Sequence, residues 1–361
     1  MQTLTRPDAQ LEVQSAPVER EMKMLFENVA ILSVSHIEAP NRILSEELEV
    51  QLAQNLERFG MRPALIRELS GIFERRLWDP GIQPSDAATM AAELALAESG
   101  IDRNEMGVLI NTSVSKDYIE PSVASLVHGN LGLPAHCMNF DVSNACLGFV
   151  NGIAIAGNMI DRGQIEYAII VNGENSREAM EGTLKRLTDP NVDEQTFRES
   201  YATLTLGSGA AAMVLGPADK HPEGHRVIGG VSYAATQHNR LCVGQMNWMK
   251  TDASALLKAG IELVMKTYPR FLQVIQSVSD DIDHFVFHQV SHPHTEKTVQ
   301  LLGIDGSKVY RVYREFGNTG PVGIPMVLSK SVREGKVKRG DRVALFGVGS
   351  GINCFMMAVD W

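Results

Sequence analysis

The order of elements that can be read from this chain occurs twice, and that repeat constrains its fold more than any other feature. From Gly107 to Glu174 the sequence passes through a strand ending at Ile110, the stretch Asn111 to Ser115, a helix, the phrase Leu131-Gly132-Leu133, a strand, the turn Asn144-Ala145-Cys146, a long helix and the strand Tyr167 to Val171. A second pass opens with the strand His284 to Phe287, which ends at His288. Leu302-Gly303-Ile304 then matches the earlier Leu-Gly-Leu phrase, Gly317-Asn318-Thr319 sits where the cysteine turn sat, and Arg342 to Phe346 closes the unit. Both long helices are expected to end in a basic-glycine phrase, Arg162-Gly163 and Arg339-Gly340.

The duplication predicts an α/β fold of two similar layered halves related by a pseudo-twofold. The N-terminal half is expected over 25–216 and the C-terminal half over 225–361, preceded by a loose arm over 1–24 that contains Pro7 and Pro17. A strand near Val29 to Val34, a helix from Ser45 to Arg58 with Glu46 and Glu47 in its first turn, and an Ala-rich helix from Ser85 to Ser99 precede the first repeat. Because α/β folds build sites at strand C-termini and helix N-termini, Cys146 and Asn318 should occupy equivalent places and His288 the end of a strand. The helix after Cys146 is apolar all round and therefore buried. Its Gly148, Gly152, Ala156 stripe is expected to admit the helix after Asn318, bringing the two turns together.

Several function classes are disfavoured at once. A net charge of −10 opposes general nucleic-acid binding, which needs a basic surface. No run approaches the roughly 18 apolar residues of a membrane span, and the polar start with Glu12, Glu19 and Glu21 is no targeting peptide. Cys137, Cys146, Cys242 and Cys354 form no CxxC pair, which points to free thiols in a reducing cytoplasm. His288, His292 and His294 have Pro293 among them and no cysteine nearby, so no metal is expected. The run Gly347 to Gly351 follows a strand, yet a dinucleotide loop needs a following helix and an acidic residue about twenty positions on, and the sequence ends at Trp361. No cofactor is expected. The run is read instead as a source of backbone N–H groups, with Ser350 and Gly351 joining Cys146 in an oxyanion role, or as a plain tight turn.

One thiol, one imidazole and one amide at matched ends of a duplicated unit suit thioester chemistry. Thiolate attack conserves the acyl-sulfur bond type, and imidazole and amide can then hydrogen-bond an enolate oxygen as charge develops. A helix N-terminus and a nearby imidazole are expected to lower the Cys146 pKa. The same three residue types occur in cysteine proteases, which are not built from two halves of this kind.

Ser143-Asn144-Ala145-Cys146-Leu147-Gly148-Phe149, His288-Gln289, Gly317-Asn318-Thr319-Gly320 and Gly349-Ser350-Gly351 resemble the thiolase superfamily, most closely its ketoacyl synthase III branch. Ser70-Gly71-Ile72-Phe73-Glu74-Arg75-Arg76 and Leu206-Gly207-Ser208-Gly209-Ala210-Ala211-Ala212 also resemble that branch, so the similarity covers 25–361. Within it, Asn111-Thr112-Ser113-Val114-Ser115-Lys116-Asp117-Tyr118-Ile119-Glu120-Pro121-Ser122 is similar to the enzymes that condense two fatty acyl-CoA molecules head to head for olefin biosynthesis. The resemblance implies a five-layered αβαβα homodimer and a non-decarboxylative Claisen condensation to a 2-alkyl-3-ketoacid. It implies Cys146 as the acylated nucleophile, His288 and Asn318 as enolate stabilisers, and Glu120 as a base reaching into the partner's site. The alternative is a decarboxylating 3-oxoacyl-carrier-protein synthase III using malonyl-carrier protein, which needs no such base but keeps the trio. A non-catalytic acyl-binding subunit would need none of the three. The arm before Met24 departs from the family.

Overall fold

The structure, a computed structural model, describes residues 24–361. The expected arm therefore lies outside the described residues except for Met24, which opens the short strand β1, Met24–Leu25.

Nine further strands join β1 in one sheet: β2 Ala30–Glu38, β3 Met106–Asn111, β4 Met138–Asp141, β5 Tyr167–Glu174, β6 Gly209–Gly216, β7 His225–Ala234, β8 His284–Phe287, β9 Arg342–Gly349 and β10 Asn353–Asp360. Their order shows the duplication directly. The first half runs β4-β3-β5-β6-β2, with β3 parallel to β4 and β5, and β6 antiparallel to β5 and β2. The second runs β8-β9-β10-β7, with β8 parallel to β9, and β10 antiparallel to β9 and β7. Beyond β8 a single parallel bridge, Phe285 to Val309, stands where β4 stands in the first half. The halves meet where β2 pairs with β7 at Ala30–Arg226 and Ile31–His225.

The helices that matter here are α1 Pro84–Ser99, α2 Val123–Leu131, α3 Gly148–Asp161, α4 Ala253–Val274, α5 His292–Leu302 and α6 Gly323–Arg333. Side chains alternate across each strand, so each half presents two apolar faces, and three separate cores fill them. Ala87, Ala91 and Ala95 of α1 and Val127 of α2 cover the face carrying Leu109 and Ile169. The opposite face, with Ile110 and Ile170, shares a central core with Phe149 and Ile153 of α3, Ile324 and Val327 of α6, and Val343 and Leu345 of the second half. Ala344 and Phe346 on the far face pack against Leu263 and Phe271 of α4 and Val299 of α5. The succession is helix, half-sheet, helix, half-sheet, helix, the αβαβα layering that the thiolase resemblance implied.

Two local expectations are corrected. The glycine stripe of α3 faces strand ends, not α6: a Cβ on Gly148 would lie 2.7 Å from the Thr112 carbonyl oxygen, and one on Gly152 would press on Ile170 and Thr112. Both helices nevertheless border the central core, which is what draws their N-termini together. The second basic-glycine phrase does not end α6, which stops at Arg333 because Gly335 turns left-handed at φ 66° and its N–H bonds the Val332 carbonyl. Arg339-Gly340 belongs to the turn before β9.

Candidate active site

Cys146 sits on an elbow two residues before α3. Ala145 takes a left-handed conformation, φ 44°, while Leu147 N–H bonds the Asn144 carbonyl at 3.0 Å and Gly148 N–H bonds that of Ala145 at 3.2 Å. A non-glycine residue held there is costly and marks a turn that the surroundings enforce. Two contacts enforce it: Asn144 donates from Nδ2 to Asn151 Oδ1 at 2.7 Å and accepts at Oδ1 from Asn353 Nδ2 at 3.0 Å. The second ties the elbow to the turn between β9 and β10, where Ser350 and Gly351 lie. A Cβ on Gly349 would come within 3.2 Å of the Asn144 carbonyl and 3.4 Å of the Cys146 nitrogen, so the glycine run lets β9 pass beside the elbow. A strand, not a helix, follows this run.

His288 follows β8 and is held there by its N–H bond to the Phe346 carbonyl, 2.7 Å. Gln289 anchors the segment, donating to the Tyr310 carbonyl and accepting from the N–H groups of Val312 and Tyr313. The imidazole is 5% exposed. A Cβ on Gly323 would lie only 3.1 Å from its Nδ1, so a glycine at the start of α6 makes room for the ring. Burial, helped by the charge of His294, pushes the His288 pKa down to about 3, with the Gly320 backbone pulling the other way.

Asn318 is clamped through its backbone. Its N–H bonds the Thr205 carbonyl at 2.9 Å and its carbonyl accepts from Gly207 N–H at 2.8 Å. Gly207 is required for that approach, since a Cβ there would meet the Phe316 carbonyl at 1.9 Å. The side-chain Oδ1 accepts from Gly320 N–H at 3.0 Å, which fixes the amide plane and leaves Nδ2 to donate elsewhere.

The structure thus sets Cys146 beside Gly349 at the end of β9, His288 beside Gly323, and Asn318 in the turn 317–323. Their electrostatics differ from the sequence expectation. Burial, with the nearby Cys242 and Glu174, pushes the Cys146 thiol up to about 12, because desolvation of a thiolate outweighs the help expected from helix and imidazole. At neutral pH Cys146 therefore rests as a thiol and His288 as a neutral imidazole. Since the folded pKa of His288 lies below its unfolded value of 6.5, its contribution to stability is present above 6.5 and is lost as the pH falls toward 3. Condensation from pre-acylated protein should accordingly show no inflection near 6.5 that traces to His288 in a single-turnover pH profile; an inflection there that disappears in His288→Ala would contradict the assignment.

Glu120 differs from these three in its exposure. It is exposed at the tip of the loop 112–122, beside exposed Tyr118 and Ile119, and hydrogen-bonds none of the described residues. Sequence reading missed Glu174, a 7% exposed carboxyl at the end of β5. Burial raises its pKa to about 7. Its strand-end position is the signal that also picked out His288. Among the described residues no group of His, Cys, Asp or Glu is arranged to hold a metal, and His292 bonds Tyr313 through Nδ1 at 2.7 Å.

The 3-oxoacyl-acyl-carrier-protein synthase III family model matches residues 140–234, and its C-terminal model matches 272–361. An acyl-CoA:acyl-CoA alkyltransferase of Xanthomonas campestris pv. campestris is 48% identical over 338 residues, covering 94% of this chain and all of the relative. The chain belongs to the acyl-CoA:acyl-CoA alkyltransferase family. A second alkyltransferase, from Shewanella oneidensis, is 35% identical over 351 residues, again covering 94% of this chain and all of the relative. Among solved structures, Xanthomonas campestris OleA with bound lauric acid and lauroyl-CoA superposes with a TM-score of 0.92 at 48% identity, covering 93% of this chain and 100% of that one. Membership places the chain among the acyltransferases of the thiolase superfamily, in the ketoacyl synthase III branch.

Proposed function

We propose that this chain condenses two fatty acyl-CoA molecules head to head, without decarboxylation, and releases a 2-alkyl-3-ketoacid. The observation that carries the reading is 48% identity over essentially the whole chain to an acyl-CoA:acyl-CoA alkyltransferase.

The site residues take these roles. The Cys146 sulfur attacks the thioester carbonyl of the first acyl-CoA while His288 receives the thiol proton, and CoA leaves as its thiol. Backbone N–H groups of Cys146 and of the Ser350-Gly351 turn hold the carbonyl oxygen. Glu120 of the partner subunit removes an α-proton from the second acyl-CoA. The resulting enolate oxygen is held by Asn318 Nδ2 and His288. Enolate carbon attacks the acyl-Cys146 carbonyl, the Cys146 thiolate departs, and water cleaves the remaining CoA thioester. His288→Ala and Asn318→Ala should still take up an acyl group from acyl-CoA, while condensation falls by about 10²-fold or more, the scale of a lost oxyanion donor. Intact-mass analysis and product yield check the two steps separately, and full condensation in either variant would remove that residue from the scheme.

A homodimer is part of this reading. Exposed Tyr118 and Ile119 form an apolar tip beside Glu120, with exposed Val114 at the root of the same loop. Among the described residues strand β4, with exposed Met138, pairs only with β3 and so presents an edge that a second copy would cover. All four cysteines are free, in keeping with a cytoplasmic setting. Among the described residues no helix is long and apolar enough to cross a membrane.

Incubation with myristoyl-CoA alone tests the function. A branched β-ketoacid or its ketone breakdown product is expected. Product that forms only after malonyl-carrier protein is added would select the decarboxylating alternative.

A further inference from the structure

The loop that carries Glu120 is held at its root by a buried carboxylate. Glu174 Oε1 accepts from Val114 N–H at 2.6 Å, and Oε2 accepts from Ser115 N–H at 3.1 Å and Ser115 Oγ at 2.6 Å. Two consecutive residues are thereby fixed in position and direction. Ser115 Oγ also accepts from Asn175 N–H at 3.1 Å, so the root is locked to the end of β5. Further along, Lys116 Nζ donates to Asp141 Oδ2 at 2.6 Å, and Asp117 accepts from Ser85 N–H at 3.0 Å. Only the tip with Tyr118, Ile119 and Glu120 projects.

The same carboxyl group borders the catalytic turn. A Cβ on Gly320 would lie 3.8 Å from Glu174 Cδ, and Gly320 N–H is the donor that fixes the Asn318 amide. Glu174 therefore bonds the root of the arm that carries Glu120 and borders the turn that orients Asn318 in its own subunit.

We propose that Glu174 is a positioning residue that sets the arm delivering Glu120 to the partner's site, and so couples the two sites of the dimer. The inference rests on the reading in which Glu120 crosses between subunits. A base must stand within hydrogen-bond reach of the proton it takes, and a misplacement of about 1 Å costs on the order of 10²-fold in rate. Loosening the root slows deprotonation in the neighbouring site while leaving acyl transfer to that site's Cys146 intact.

Mixed dimers separate this from a general structural role. One chain carries Cys146→Ala and supplies only Glu120; the other carries Glu120→Gln and supplies only Cys146. The control pair should condense myristoyl-CoA. Adding Glu174→Gln to the chain that supplies Glu120 should lower condensation by about tenfold or more, with Cys146 acylation in the other chain unchanged. Adding it to the chain that supplies Cys146 should cost clearly less. Equal losses in the two placements, or a larger loss in the second, overturn the inference while the crossing reading stands. A dead control pair, with heterodimers demonstrated, overturns both. If Glu174→Gln does not assemble, Ser115→Ala in the same two placements decides by the same comparison, because it removes one donor to Glu174 and leaves the carboxylate.

Discussion

Cys146→Ala will take up no acyl group and make no condensed product, with kcat reduced on the order of 10⁴-fold or more, as expected when a covalent nucleophile is removed. The elbow at Ala145 presents a single side chain to the start of α3, and the Asn353–Asn144 and Asn144–Asn151 bonds hold that elbow whether or not a sulfur is attached. The fold should therefore survive and the chemistry should not. Mass analysis of wild-type protein after acyl-CoA treatment should show one added acyl group on the peptide containing Cys146, and none in the alanine variant. Because burial keeps the thiol protonated, up to about 12, the proposed acylation has the proton leave as the sulfur attacks. Labelling that persists unchanged in Cys146→Ala would remove the residue from the mechanism.

Glu120→Gln should still form acyl-Cys146 yet condense two acyl-CoA molecules very slowly, by about 10²-fold or more below wild type. An α-proton of a thioester is far less acidic than a carboxylic acid, so a carboxylate takes it only where the enolate is already held and water is excluded. Glutamine keeps the shape of the side chain and cannot accept the proton. The exposed position of Glu120, away from any described partner in its own chain, supports use in a neighbouring subunit. Mixing Cys146→Ala with Glu120→Gln should restore activity, because one of the two sites then pairs an intact thiol with an intact base. Mixtures that stay inactive despite heterodimer formation would assign Glu120 to its own subunit or to no catalytic role.

The two-half architecture was legible in the linear chain because a repeated element order must pack as a repeated unit. The helix Ser45–Arg58 and the strand His284–Phe287 fall where pattern and punctuation placed them. Cys146, Asn318 and His288 could be singled out for the same reason: a duplicated unit puts equal positions at equal strand ends and helix starts. What one-dimensional pattern left open was which surfaces meet. A stripe of small residues says that something approaches closely, and only the packed chain shows that Thr112 and Ile170 approach it, not α6. Spacing likewise carries no measure of desolvation. The sequence pointed to a lowered thiol pKa from local helix and imidazole, whereas the three-dimensional burial of Cys146 and His288 raises one group and lowers the other. Glu174 was hidden for a related reason. Its partners Val114 and Ser115 and its neighbour Gly320 are distant in sequence, so its hold on the Glu120 arm and its place beside the Asn318 turn exist only once the chain is packed. Local order along the chain determined the elements, their duplication and the reactive residue types; the burial and long-range contacts that set their protonation and orientation were decided by tertiary packing, because both depend on neighbours that no window of sequence contains.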